Sequence, residues 1–399
     1  MAPSVSPIRS DRPAAAKTPD AADRVTFATV EKTGPGTLAG RYLRAFWQPV
    51  LHSHELKVKQ ARPLRIMGQE LTVYRGESGK VYIVGGRCPH RAAPLGIGRV
   101  EGEELRCFYH GWKFDGSGQC VEQPAERPNF CAKVKTESYP ARDYIGLVFA
   151  YLGEGPAPDF PRYESFEGDD VALTYDSYER PCNYFNNLEN LADFAHIPYA
   201  HAGMMGAWDE LADGPAITAT ETVWGVAAHA KRPSGKEILT QFGMPNIGHV
   251  QALPDDPQLP YREFLSWWVP IDDDRHIQFT IVKNRRIPGV IEGYLERRAE
   301  RWAKRDIDRE QLARDILAGR KRYEDVDPER VNMVFLQDDL TQMGVGMPSE
   351  RPDERLGSAD AVVALQRRLW IRELKKFARG EPLKPWRYDP ALVPARAVY

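Results

Sequence analysis

Cysteine is scarce in this chain, with five among 399 residues. An odd number, with no secretion signal ahead of it, does not make a disulfide framework, so these thiols are metal ligands or buried core groups. Net charge is nearly absent too: 54 Lys and Arg stand against 56 Asp and Glu, with no basic stripe. That excludes the electrostatic footprint that nucleic-acid binding needs. No apolar run reaches the roughly eighteen residues that would span a bilayer, and the N-terminus lacks a charged head followed by an apolar core. A soluble, cytoplasmic protein is expected.

What is present is a globular composition, 42% hydrophobic and 28% charged, in a length that holds two or three cores. Residues Met1 to Arg24 are rich in Ala, Pro, Ser and Asp without apolar period, which predicts a disordered tail over 1–24. From Leu64 to Val84 short β-rich runs flank the turn candidate Gly76 to Lys80, and Tyr144 to Leu152 reads as a further strand. The Gly153 to Pro161 stretch, with three prolines among glycine and acidic residues, predicts a linker, so a β domain over 25–160, with a helical lead-in, precedes a second domain over 161–399. Strand-like segments in the second domain, Phe264 to Pro270 and Ile277 to Val282, give way to helical ones. Tyr294 to Arg322 is charge-dense and helix-compatible; Asp360 to Arg379 places Val362, Leu365, Leu369 and Leu374 at helical spacing and stops at Gly380. Neither helix reads as catalytic. The class is α+β, with an antiparallel sheet and C-terminal helices in the second domain.

Two constellations carry chemistry. Cys88-Pro-His90 and Cys107-Phe-Tyr-His110 put two thiolates and two imidazoles on two loops of the β domain. Four such ligands want a metal. A Rieske 2Fe-2S centre needs two cysteines on one iron and two histidines on the other, and each loop supplies one of each. A structural zinc site is the alternative, although the order Cys-x-His then Cys-x-x-His is unusual for zinc modules. Cys120, Cys131 and Cys182 fall outside the pattern and read as ordinary thiols.

The second constellation runs from Asn186 to His201 and brings Asp193, His196 and His201 within nine positions. Two histidines and one carboxylate on one face are the ligand set of a non-haem Fe(II) that activates dioxygen. Residues five apart on a helix diverge by about 140°, so a break is needed for both imidazoles to converge, and Pro198 is the expected breaker. If Asp193 has another role, the third ligand comes from Phe335-Leu-Gln-Asp338-Asp339, with Asp338 first and Asp339 in reserve.

With these motifs the chain resembles the Rieske non-haem iron oxygenases, from about Gly34 to Arg379. Within them it is most similar to the phthalate-dioxygenase type, through Thr33-Gly-Pro-Gly-Thr37, Tyr42-Leu-Arg-Ala-Phe-Trp47, Arg106-Cys-Phe-Tyr-His-Gly-Trp-Lys-Phe114, Gln337-Asp338 and Arg355-Leu-Gly-Ser-Ala-Asp360. The resemblance implies an N-terminal Rieske domain whose Cys88, His90, Cys107 and His110 hold the 2Fe-2S cluster. It implies a catalytic domain whose His196, His201 and Asp338 hold mononuclear Fe(II), with Asp193 bridging the iron to the cluster of a neighbouring subunit in a homotrimer or dimer of trimers. It implies O2 as co-substrate and electrons from NADH or NADPH through a flavin and iron-sulfur reductase or a ferredoxin. An aromatic acid would be dihydroxylated or monooxygenated, O-demethylation included. Lys231, Arg232 and Lys236 are candidates for its carboxylate, and Phe185, Leu188, Phe194, Phe242, Trp267 and Trp268 for an apolar wall. A Rieske electron carrier without oxygenase activity would need only the β domain.

Overall fold

Strand-forming runs separated by tight turns build the first half of the molecule, which is known from a computed structural model describing residues 21–128, 130–204, 216–231, 237–252, 258–259 and 262–392. Ala61–Ile66, Gln69–Arg75 and Val81–Gly85 pair antiparallel in sequence order, with Ser138–Tyr139 added at the edge. A second small sheet joins Arg99–Glu101, Glu104–Arg106, Lys113–Phe114 and Cys120–Glu122, and a third joins Gln48–His52, Leu147–Ala150 and Ala141–Tyr144. The expected single strand over Tyr144 to Leu152 is a hairpin instead. Ile145 and Gly146 both have positive φ, 42° and 78°, the two-residue turn whose twist suits paired strands, so only Leu147–Ala150 continues as strand.

The lead-in helix Leu38–Arg44 is capped by Thr37, whose hydroxyl accepts from the Gly40 N–H at 3.1 Å. Residues 1–20 of the expected tail lie outside the described residues. Ala21–Arg24, assigned to that tail as well, form a short helical turn against helix Ala361–Ala378, with Ala22 fully buried. Apolar cover is what orders these four residues.

The second half is built on a seven-stranded antiparallel sheet. Its spatial order is Val171–Arg180, His276–Arg285, Arg262–Pro270, Ile247–Ala252, Glu237–Gly243, Gly225–Lys231, Ala216–Glu221. Leu265, Trp267, Phe279 and Ile281 on one face join a core that also takes Val73, Ile83, Phe149 and Tyr163, so residues from both halves of the chain share one core. The Gly153 to Pro161 segment is pinned: Trp47 donates Nε1–H to the Pro158 carbonyl at 3.0 Å, and Phe160 meets Trp47, Tyr144 and Phe149 edge-on. The charge-dense stretch read from Tyr294 to Arg322 divides into Val290–Ala303 and Arg309–Leu317, the second capped by Asp308 accepting from Gln311 N. Ala361–Ala378 follows the expected helix and ends before Gly380, whose φ is 70°.

Candidate metal centres

Two loops of the β domain carry the first constellation. In one, Cys88 N donates to Ala93 O at 2.8 Å and Ala92 N to Cys88 O at 2.9 Å; in the other, Cys107 N donates to Trp112 O at 2.8 Å and Gly111 N to Cys107 O at 3.1 Å. The cysteines therefore sit at the loop bases, buried at 3% and 2% exposure, while the histidines stand further out. Gly111 has φ of 74°, the left-handed conformation that lets the second loop turn back. Arg106 clamps that loop by donating to the Gly111 carbonyl at 2.8 Å while pairing with Glu101 and Glu122 at 2.8 and 2.7 Å.

The two imidazoles approach with ring centroids 4.5 Å apart, and Trp112 lies flat on His90 at 4.4 Å and 5°. His90 Nδ1 is buried without a protein partner. A buried imidazole nitrogen left unpaired is costly, and a metal lone-pair contact relieves it. Among the described residues, the one set of three or more His, Cys, Asp or Glu donor atoms closing to within 4.8 Å of one another is His196, His201 and Asp338.

The second constellation starts on helix Tyr184–Ala192, capped by Asn183 accepting from Phe185 N at 3.0 Å. The break that lets the histidines converge comes at Asp193, not at Pro198. Asp193 has extended backbone (φ −94°, ψ 96°), and its Oδ1 accepts from the backbone N–H of Ala195 at 2.9 Å and of His196 at 3.3 Å. Pro198 lies in the first turn of the short helix Ile197–Ala200, where no N–H is required, and so it starts a helix rather than ending one.

Each imidazole is fixed from behind. His196 Nδ1 donates to the Asp193 carbonyl and His201 Nδ1 to Gln337 Oε1 at 2.7 Å, which turns both Nε2 atoms toward Asp338, at 4.0 and 3.2 Å from its Oδ1. Asp338 lies on helix Met333–Gly344, and Asn190 donates to its Oδ1 at 2.9 Å. Asp339, a third of a turn further on, points elsewhere: it is fully buried in ion pairs with Arg180 at 2.6 Å and Arg309 at 2.5 Å. The Arg180 contact is off the direction of a good hydrogen bond, so it acts through charge. Burial acts to raise the Asp338 pKa, but the His201 hydrogen bond and the Arg180 charge outweigh it and hold the carboxyl low. Burial acts to lower the His201 pKa, and its hydrogen bond to Asp338 raises it overall; burial lowers that of His196. A cation between them would take the place of a proton. Gln337, Asn190 and Arg180 are the supporting residues that motif reading did not assign a role; only the position of Gln337 next to Asp338 hinted at one.

These donors open on a cavity of about 540 Å³ between the sheet and helices Val290–Ala303 and Met333–Gly344. Of the expected apolar wall, Phe194 and Trp268 line it, whereas Phe185, Leu188, Phe242 and Trp267 pack in the core. Lys231 is exposed at the end of a strand and does not line the cavity; Arg232 and Lys236 lie outside the described residues. The cationic lining comes instead from Arg180, Arg262, Arg298, Arg301 and Arg305, three of them in the stretch read as non-catalytic.

Residues 46–140 match the Rieske [2Fe-2S] domain family, so the zinc reading gives way to a Rieske protein. Over 380 residues the chain is 30% identical to the 5,5'-dehydrodivanillate O-demethylase oxygenase subunit of Sphingobium sp. (strain NBRC 103272 / SYK-6), covering 90% of this chain and 82% of that one. It is 28% identical to the phthalate 4,5-dioxygenase oxygenase subunit of Pseudomonas putida, covering 86% and 84%. Its fold is that of the terminal oxygenase of carbazole 1,9a-dioxygenase from Nocardioides aromaticivorans IC177, at 18% identity and a TM-score of 0.63 over 85% of this chain and 98% of that one. The chain belongs to the Rieske non-haem iron oxygenases, as an oxygenase subunit. Such subunits use O2 and work with a reductase or ferredoxin, and the reading as a carrier of electrons alone is not favoured. Among the described residues no helix is long and apolar enough to cross a membrane.

Proposed function

We propose that this oxygenase subunit hydroxylates an aromatic acid, by monooxygenation, O-demethylation included, or by ring dioxygenation. The observation that carries the reading is the closure of His196, His201 and Asp338 donor atoms to within 4.8 Å at the wall of a ligand-sized cavity, in a chain with a Rieske domain. Relatives named for 5,5'-dehydrodivanillate, 3-chlorobenzoate and phthalate support an aromatic acid.

In this reading Cys88, His90, Cys107 and His110 hold the 2Fe-2S cluster, and His196, His201 and Asp338 hold mononuclear Fe(II). When bound, that iron supplies the activation of dioxygen. The chain supplies the geometry. Gln337 and the Asp193 carbonyl hold the imidazole Nδ1 protons so that both Nε2 lone pairs face inward, and Asn190 fixes the orientation of the Asp338 carboxylate. Phe194 and Trp268 exclude water from one side of the cavity. Asp193 carries the path from the iron to the cluster of a neighbouring subunit in a homotrimer or dimer of trimers. Electrons originate from NADH or NADPH through a flavin and iron-sulfur reductase or a ferredoxin, in the cytoplasm.

The test is turnover of the iron-loaded protein with a phthalate-type reductase and NADH against phthalates, chlorobenzoates and methoxylated aromatic acids. Formaldehyde in step with NADH and oxygen use identifies an O-demethylase, and a cis-diol without formaldehyde a ring dioxygenase. No turnover of any acid overturns the reading.

A further inference from the structure

Five arginines and two aspartates line the cavity, and the positive charges are not equally spoken for. Arg180 lies between Asp338 and Asp339, at 3.7 and 2.6 Å, and Arg298 pairs with Asp176. Arg301 and Arg305 have no carboxylate within ion-pair distance among the described residues. Arg301 follows Arg298 at a spacing of three on helix Val290–Ala303, and Arg305 lies just past the helix end, beyond its cap Lys304.

Arg305 is held by an aromatic ring instead of an acid. Its guanidinium lies 4.7 Å from the Trp302 ring centroid, and that ring stacks with Tyr178 at 5.9 Å and 22°. Stacking fixes the plane of a guanidinium while leaving its in-plane N–H donors available, the geometry that takes a carboxylate through two parallel hydrogen bonds. The group is half-buried, and burial lowers its pKa, with the Arg301 and Arg298 charges adding to the effect and Tyr178 and Asp176 only partly opposing it. A cation in such a place gains from an anion. Leu191, Phe194, Val250, Phe264 and Trp268 line the same cavity and suit an aromatic ring.

We infer that Arg305, with Arg301 beside it, anchors the carboxylate of the substrate and makes this cavity selective for aromatic acids over their neutral esters. The inference rests on the oxygenase reading of the same site and names the residues that set its specificity.

The experiment compares 4-methoxybenzoate and phthalate with their methyl esters, in the wild-type holoenzyme and in Arg305→Gln, Arg305→Lys and Arg301→Gln. Binding is read by quenching of tryptophan fluorescence and turnover by oxygen uptake with reductase and NADH; iron content and the cluster spectrum establish that each variant is loaded and folded. In the wild type the acids bind about 10- to 100-fold better than the esters, the range of a hydrogen bond to a charged group. In Arg305→Gln that preference falls toward one, through KM with kcat largely kept. Arg305→Lys restores part of it, because the charge returns without the planar fork. Equal binding of acid and ester by the wild type, failure of the acids to bind, or an unchanged preference in a loaded Arg305→Gln protein overturns the anchor. Acids that bind through Arg305 but are never oxidised leave the anchor standing and overturn the proposed hydroxylation of an aromatic acid instead.

Discussion

Asp338 and Asp339 adjoin in sequence, and replacing each by Asn should produce opposite defects. Asp339 is fully buried beside Arg180, itself 1% exposed, and also pairs with Arg309. Asparagine keeps the shape but leaves a buried guanidinium without its closest negative charge, since Asp338 lies 3.7 Å from Arg180. Breaking a buried pair in this way costs about 3–5 kcal/mol, a large part of the roughly 5–15 kcal/mol that holds a domain together. Asp338→Asn removes a donor that His201 and Asn190 surround while Arg180 keeps Asp339, so its cost to stability should stay within about 1–2 kcal/mol. Mononuclear iron should be lost instead. The assay is iron per chain above the cluster iron, after dialysis, together with the urea midpoint followed by circular dichroism. Asp338→Asn should lose the additional iron with little change in midpoint; Asp339→Asn should lower the midpoint sharply yet retain iron while folded. An Asp339→Asn protein that loses iron as completely as Asp338→Asn, at the wild-type midpoint, refutes the assignment.

Gln337→Ala removes the acceptor that orients His201 and should weaken iron binding about 10- to 100-fold, read by titration of the iron-depleted protein; a wild-type affinity would mean that the contact orients nothing. Asp193→Asn should keep iron content and cluster spectrum but lower turnover by about 100-fold or more, and full turnover would remove Asp193 from the electron path. His276 is fully buried, donates from Nδ1 to the Cys182 carbonyl and meets the Asn187 amide at Nε2. Burial pushes its pKa down from 6.5 to about 3, so its contribution to stability is complete above the unfolded value and is lost as pH falls below it. From pH 7 to pH 5 the wild type should lose about 2 kcal/mol more than His276→Asn, and equal losses by urea titration would contradict the linkage.

The candidate ligands nearest each other in sequence were the most legible. Cys88 with His90, Cys107 with His110, and His196 with His201 each fall within a few residues, so local spacing announces them. Asp338 is 137 residues beyond His201, so no local spacing announces it: the Phe335 to Asp339 segment offered it first with Asp339 in reserve, and the family resemblance pointed the same way. Its choice over Asp339 depends on helix phase: successive residues differ by about 100°, and which side faces the histidines is settled by tertiary packing. The helix break was misplaced for a related reason. Proline is a breaker inside a helix and a starter in its first turn, and position relative to the cap decides which. Arg298, Arg301 and Arg305 were hidden among the solvated charges of one helix and the turn after it, because composition does not tell which side of such a segment meets a cavity.

The central sheet divides its residues by parity. Val250, Phe264, Ser266, Trp268, Gln278, Thr280 and Val282 face the cavity, while the alternating Leu265, Trp267, Phe279 and Ile281 face the core. Mutability is therefore partitioned along each strand at a period of two. A library confined to the cavity-facing positions could reshape what the enzyme accepts with the core sequence left intact, and drift among relatives could follow the same track. The scaffold behind His196, His201 and Asp338 and the lining of the cavity are encoded by interleaved residues of the same strands, and they can evolve at different rates.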